Sequence, residues 1–262
     1  MKIAVIGGGN MGKAIGLGAI NSGFIEPHLI RFSDPSEDVH KYIGGYNPNI
    51  ELFTDSREAI KGVDLIIVAV KPWLLETVLT EISDVIDREN QNLVSIVAGA
   101  NFSDISTYLG GDLGQMSLYR VIPNTAVILG KGTSFIARYN STASQDEFIF
   151  NLFSSMGDAF MVEEPQMWTY TALSSCGIAY AYKYIDAAIQ GGVKLGIEQE
   201  EARAILIQTI KGALAMLENN NSMPQTEIDK VTTPGGITLR GLAEMEKNGF
   251  TDAVIKGLLA SK

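Results

Sequence analysis

The chain has 262 residues, 46% of them apolar, which is enough for one large domain or two ordinary ones with a sizeable core, and excludes a disordered chain. Its net charge of −10 argues against nucleic acid or an anionic membrane as main partner, although a local site can oppose the global field and take an anionic substrate. A single cysteine, Cys176, rules out an intramolecular disulfide and fits a reducing, cytoplasmic setting.

The N-terminus, "MKIAVIGGG", opens directly on a strand and a turn, without the basic segment and apolar run of a signal peptide. The longest apolar runs, such as "LIIVAV" at 65–70, are too short to cross a bilayer. Continuous Val/Ile/Ala runs predict strands at Ile3–Ile6, Leu29–Ser33, Leu65–Val70, Leu93–Ala98 and Leu118–Ile122, with weaker patterns at Ser134–Ala137 and Phe160–Val162. Helical segments fall between them, among them Met11–Ile20, Trp73–Ile86 and Gln145–Ser155. Strand, helix and strand in alternation predict a parallel sheet with right-handed crossovers.

From Pro165 to Lys262 no strand pattern is found. The run 176–195 is apolar and rich in small residues, and 199–217 carries Ala202, Ile205, Leu206, Ile210, Ala213, Leu214 and Leu217 on more than one face. A helix that is apolar nearly all round must be covered on most sides, so a helical dimer interface is expected. The chain therefore divides into residues 1–164 and an all-helical 165–262.

"KIAVIGGGNMGKAIGLGAI" contains Gly7-x-Gly9-x-x-Gly12, directly after one strand and at the start of a helix. That context marks a dinucleotide fingerprint: Gly7 for the tight turn, Gly9 for approach of a pyrophosphate, Gly12 for close helix packing. The N-terminus of the helix supplies N–H donors and positive dipole to the phosphates. A Rossmann-type, doubly wound N-terminal domain follows, with Ile6, Gly7, Gly8, Gly9, Asn10, Met11 and Gly12 as candidate cofactor contacts.

Asp34 lies 22 residues after Gly12, where an acidic residue meets the adenosine ribose. It reads equally as a turn-former before Pro35. Ser33 and Ser56 are counted with it as cofactor contacts, and the choice between NADH and NADPH stays open. "AVKPW" at 69–73 puts Ala69, Val70, Lys71 and Pro72 at the carboxyl end of a parallel strand, where open α/β sheets bind ligands. "SIVAGA" at 95–100 ends the next strand in small residues, with Ala98 and Gly99 suited to lie against a nicotinamide ribose. "RVIPNTAV" at 120–127 places Asn124 and Thr125 towards the reacting end.

"TTPGGIT" at 232–238 sets two glycines and a proline before an amphipathic segment. It reads as a Pro-Gly turn, or as backbone N–H groups presented to an anion. The two histidines, His28 and His40, flank the second strand; neither a histidine acid–base pair nor a Cys/His metal cluster is available.

In order along the chain, the Gly-rich loop, "AVKP", "SIVAG", "IPNT", "TALSSCGIAY" at 171–180, "GGVKLGI" at 191–197 and "VTTPGGIT" at 231–238 resemble the pyrroline-5-carboxylate reductase family over essentially all 262 residues. The resemblance implies hydride transfer from NADPH or NADH to 1-pyrroline-5-carboxylate, a small carboxylate imine, giving L-proline. It also implies a homodimer through the C-terminal helices, with a higher oligomer of dimers left open. The substrate carboxylate would lie on Thr233, Gly235, Gly236, Ile237 and Thr238; Thr238, Asn124 and Glu164 are the catalytic candidates, Glu164 as a contact to the substrate ring. A solvated acidic turn is the rival account of Glu164. The chain departs from the family at Ala126 and Ile178, where proline is usual, and at Ser175–Cys176, where Gly-Ser is usual.

Three other readings stay open: a reductase of another cyclic imine acid, a β-hydroxyacid-dehydrogenase-like enzyme, and a non-catalytic dinucleotide-sensing dimer. Lys183 sits where the dehydrogenases carry a catalytic lysine, but position 187 is Ala where they have asparagine. A sensor would have no need of a carboxylate loop.

Overall fold

The apolar runs of the N-terminal part become strands covered on both faces. In the computed structural model, which describes residues 1–261, they are β1 (Ile3–Ile6), β2 (Ile30–Ser33), β3 (Glu51–Phe53), β4 (Leu65–Val68), β5 (Asn92–Ser95), β6 (Leu118–Pro123), β7 (Gly132–Tyr139) and β8 (Gly157–Met161). They form one sheet in the order β3-β2-β1-β4-β5-β6-β7-β8. Neighbours from β3 to β6 pair parallel, as do β7 and β8.

Alternate residues of each strand enter different cores. Ile3, Val5, Phe32, Ile67 and Val121 pack on one face, against Ile15 and Leu17 of α1 (Asn10–Asn21). Ala4, Ile6, Ile66, Val68 and Leu118 pack on the other. Between β2 and β4 lie α2 (Glu37–Tyr46) and the short α3 (Ser56–Ala59). The second face is covered by Leu79 of α4 (Leu75–Ile82) and Ile105 of α5 (Phe102–Tyr108); α6 (Ala143–Ser154) adds Leu152 and Phe153 to the first. This two-sided burial is what a continuous β-branched run specifies.

The sheet differs from the expected all-parallel one where β7 runs antiparallel to β6. Their connection is the eight residues 124–131, too short for a crossover, which needs a dozen or more. β3 escapes the sequence pattern because it is three residues long, with Glu51 exposed at the sheet edge. The runs at 65–70 and 93–98 outlast their ladders, which stop at Val68 and Ser95 and free the following residues to turn at the carboxyl edge. The expected helix 73–86 is a 3₁₀ turn at Pro72–Leu74 followed by α4.

α7 (Met167–Leu173) packs with the sheet: Met167 joins the second core, and Tyr170 stacks on Phe135 at 4.7 Å. The first compact unit accordingly runs from Met1 to Ser175. The second, from Cys176 onward, is helical throughout its described residues, with α8 (Gly177–Lys194), α9 (Gln199–Asn220), α10 (Pro224–Val231), α11 (Ile237–Lys247) and α12 (Phe250–Leu259). Glu198 caps α9 by accepting from the N–H groups of Glu200 and Glu201. Among the described residues of this unit, Ala202 alone is buried.

Candidate active site

The three fingerprint glycines do different work. A Cβ at Gly7 would lie 2.6 Å from the Ala69 carbonyl oxygen, and one at Gly12 only 1.9 Å from that of Gly7, so both hold the turn and α1 against the sheet. A Cβ at Gly9 would meet nothing within 4 Å. Gly9 is also the N-cap of α1, with no side-chain cap and no acidic residue in the first turn. Backbone donors, an open approach and no competing anion suit a pyrophosphate. Gly9 and Asn10 are exposed, whereas Ile6, Gly7, Gly8 and Gly12 are buried and Met11 is half-buried, so the outer pair faces a ligand and the rest shape the loop.

Asp34, just beyond β2, accepts from the N–H of Gly8 at 2.8 Å and, through its other oxygen, from that of Ser36 at 2.9 Å. Both turn readings of its sequence position are thus realised at once: it anchors the Gly-rich loop and closes its own turn. Ser33 and Ser56 pair their hydroxyls at 3.0 Å, and Ser33 is buried. The His40 imidazole is taken up by the backbone carbonyls of Asp34 and Phe53 through Nε2.

Ala69 and Val70 leave β4 half-buried, while Lys71 and Pro72 are exposed. After β5, Ala98 and Gly99 are exposed as well; Gly99 has φ +92°, and a Cβ there would meet open space. With Arg120, Ile122, Met167 and Trp168 they line a cleft of about 180 Å³. Asn124 is buried: its Oδ1 accepts from the Ala126 N–H at 3.1 Å and its Nδ2 donates to Ser174 Oγ at 3.2 Å. Ser175 Oγ donates to the Pro123 carbonyl at 3.0 Å. Asn124 therefore shapes the end of β6, and Ser174 and Ser175 tie α7 to it. Glu164 Oε1 accepts from Arg120 Nη1 at 2.9 Å and from the Phe102 N–H at 2.7 Å. Arg120 was missed from sequence; its signal is one cation inside an apolar strand.

In the helical unit, residues 233–236 form a turn closed by the Gly236 N–H on the Thr233 carbonyl at 2.9 Å, with Pro234 second and Gly235 third at φ +74°. This corrects the expectation that the N–H groups of Gly235 and Gly236 both converge on an anion: that of Gly236 is consumed by the turn. Gly236 is the N-cap of α11, which has no side-chain cap and no acidic residue in its first turn. The donors at this end are the N–H groups of Ile237, Thr238 and Leu239 and the exposed hydroxyl of Thr238. Thr233, at the start of the turn, is exposed too. Among the described residues no group of His, Cys, Asp and Glu could hold a metal.

An open sheet, parallel about its centre, with a glycine-rich turn between β1 and α1, defines a dinucleotide-dependent oxidoreductase fold. Residues 2–99 match the family described as NADP oxidoreductase, coenzyme F420-dependent, and residues 164–262 match pyrroline-5-carboxylate reductase dimerisation. A pyrroline-5-carboxylate reductase of Dictyostelium discoideum is 34% identical over 99% of this chain, which spans 48% of that longer protein. One of Methanosarcina acetivorans is 33% identical, with 100% of this chain and 97% of the relative covered. The crystal structure of Plasmodium falciparum pyrroline carboxylate reductase with NADP bound matches with a TM-score of 0.90 at 29% identity, over 100% of this chain and 95% of that one. The chain belongs to the pyrroline-5-carboxylate reductase family, and it is an NAD(P)-dependent oxidoreductase.

Proposed function

We propose that the chain reduces 1-pyrroline-5-carboxylate to L-proline, working in the cytoplasm as a homodimer built through its helical region. The functional division falls at residue 164, with residues 1–164 holding the dinucleotide and residues 165–262 the substrate and the dimer contact.

The reading is carried by the uncapped start of α11 behind the 233–236 turn, an anion site on the unit that does not hold the glycine-rich loop. The substrate carboxylate is placed on the N–H groups of Ile237 and Thr238 and the Thr238 hydroxyl, with Thr233, Gly235 and Gly236 forming the turn that aims them. The dinucleotide is placed with its pyrophosphate at Gly9–Asn10, its adenosine ribose near Asp34 and its nicotinamide end near Ala98, Gly99 and the loop shaped by Asn124.

The reduced nicotinamide supplies the hydride. The imine arrives protonated on nitrogen, so its C5 is already electrophilic; hydride adds to C5, the C=N π pair becomes the nitrogen lone pair, and solvent supplies the proton that completes prolinium. No side-chain acid is needed. The protein aligns C5, holds the carboxylate and limits water at the reacting face.

The test is loss of NAD(P)H absorbance on adding pyrroline-5-carboxylate, with each coenzyme, for the wild type and Thr238→Ala. The hydroxyl-to-carboxylate bond contributes about 1.5–3 kcal/mol in ground and transition states alike, so KM rises roughly 10- to 100-fold with kcat less affected. NAD(P)H affinity is unchanged. Wild-type kcat/KM in the variant would remove Thr238 from the site, and an inactive wild type would remove the substrate.

A further inference from the structure

β6 buries one cation. Arg120 is 7% exposed, between Tyr119 and Val121 in an otherwise apolar strand. A buried guanidinium is tolerated only when paired. Its partner, Glu164, is 44 residues away in sequence and uses one oxygen, Oε1, for two donors.

The second donor shows where the pair acts. Phe102 is the first residue of α5 and follows the segment Ile96–Asn101 that leaves β5. α5 satisfies two other N–H groups locally, through a capping box between Asn101 and Asp104. The Phe102 N–H is instead bound by Glu164, 62 residues distant. Arg120 meanwhile lines one cleft with Ala98 and Gly99. The pair thus fixes the far end of the segment and stands beside its exposed middle.

We propose that Arg120 and Glu164 form a brace that sets the position of the Ala98–Gly99 backbone, so that Glu164 acts on hydride transfer through this segment and not by touching the substrate. Both are positioning residues. The inference rests on the proposed function, in which Ala98 and Gly99 face the nicotinamide.

The test combines a double-mutant cycle with amide hydrogen exchange on the full-length protein. Arg120→Met and Glu164→Gln each lower kcat/KM roughly 10- to 100-fold, the scale of a misplacement of about 1 Å. The double variant costs no more than the worse single one, because either loss breaks the same brace. Arg120→Lys, which keeps the charge with a shorter reach, recovers part of the loss. Exchange at residues 97–103 quickens about tenfold or more in both single variants, while β1 and β4 keep wild-type protection as the control for folding. Thr238→Ala loses activity without this change. Costs that multiply in the double variant, or wild-type exchange at 97–103 in both singles, would overturn the brace. A wild type inactive on pyrroline-5-carboxylate would instead sink the functional reading, leaving the exchange measurements to decide the brace.

Discussion

The two units bury apolar surface by opposite means. In the sheet unit, Ile66 and Ile67 are adjacent in sequence and both lie under 2% exposed, because each face of the sheet has its own layer of helices. In the helical unit, Ile205 and Met216 are each at least 50% exposed on α9. Eleven residues of helix turn through about three full turns, so these two share one face; Leu214, also exposed, lies opposite Ile205. Ordinary monomer surfaces do not carry apolar stripes on several sides of one helix. The sheet unit completes its core from its own sequence, whereas the helical unit has the composition of a core and the exposure of a surface. Its missing layer has to come from outside the unit, and the family's dimerisation match falls on this part of the chain.

The sharpest break is in the sheet unit. Gly12→Val forces a side chain onto the Gly7 backbone and costs about 3 kcal/mol or more, seen as a large fall in thermal midpoint. Gly9→Val, three residues earlier, leaves that midpoint near wild type and removes NAD(P)H binding. Equal destabilisation by both would erase the division between packing and ligand-facing glycines.

For the helical unit, Ile205→Arg combined with Met216→Arg leaves the isolated fold nearly untouched and costs the assembly about 2 kcal/mol or more per site if they are central contacts. Light scattering of the variant shifts towards the 28.3 kDa chain. A wild type that is already monomeric and active at micromolar concentration would end the comparison.

A smaller effect sharpens the account of the cofactor loop. Asp34→Ser removes a negative charge where a 2′-phosphate would lie and an acceptor for ribose hydroxyls, on the order of 1–2 kcal/mol. The ratio of NADH to NADPH affinity falls roughly 5- to 30-fold. An unmoved ratio would leave Asp34 as the anchor of Gly8 and Ser36 only.

The smallest effect is acid sensitivity within the helical unit. The Lys230 ammonium and then the Ser222 hydroxyl hold the Glu227 carboxyl at about 2, against an ordinary 4.5. Because the folded value is depressed, this contribution is complete above the unfolded value and fades as pH falls from about 4.5 towards 2. Glu227→Gln lacks that part of the acid dependence, so its thermal midpoint changes less than wild type across this window.

What could be read from sequence was what is locally determined. The glycine-rich loop, β1 and α1 were legible because three glycines in one turn impose their geometry within a few residues. β3 was not, since three residues with an exposed Glu51 carry no pattern. The direction of β7 was missed because composition is blind to it; the eight-residue connection was the available clue. At the candidate site, the "TTPGGIT" segment announced both a turn and a helix start, but not that the turn would use the Gly236 N–H. Arg120 stood in plain view, yet its meaning depends on a carboxylate that only the fold brings beside it.

The reversal of β7 also bears on how the sheet is assembled. Pairing Pro123 with Ser134 closes a loop of 11 residues, whereas pairing Ile3 with Leu65 closes one of 62. The difference in closure entropy is about 1.5 kcal/mol. The antiparallel pair is therefore the least costly place for the sheet to nucleate, and its six-residue ladder can form before the central parallel strands meet. The loop shaped by Asn124 is then set at an early stage of folding, and the glycine-rich turn at the chain's own beginning waits for a strand more than sixty residues downstream.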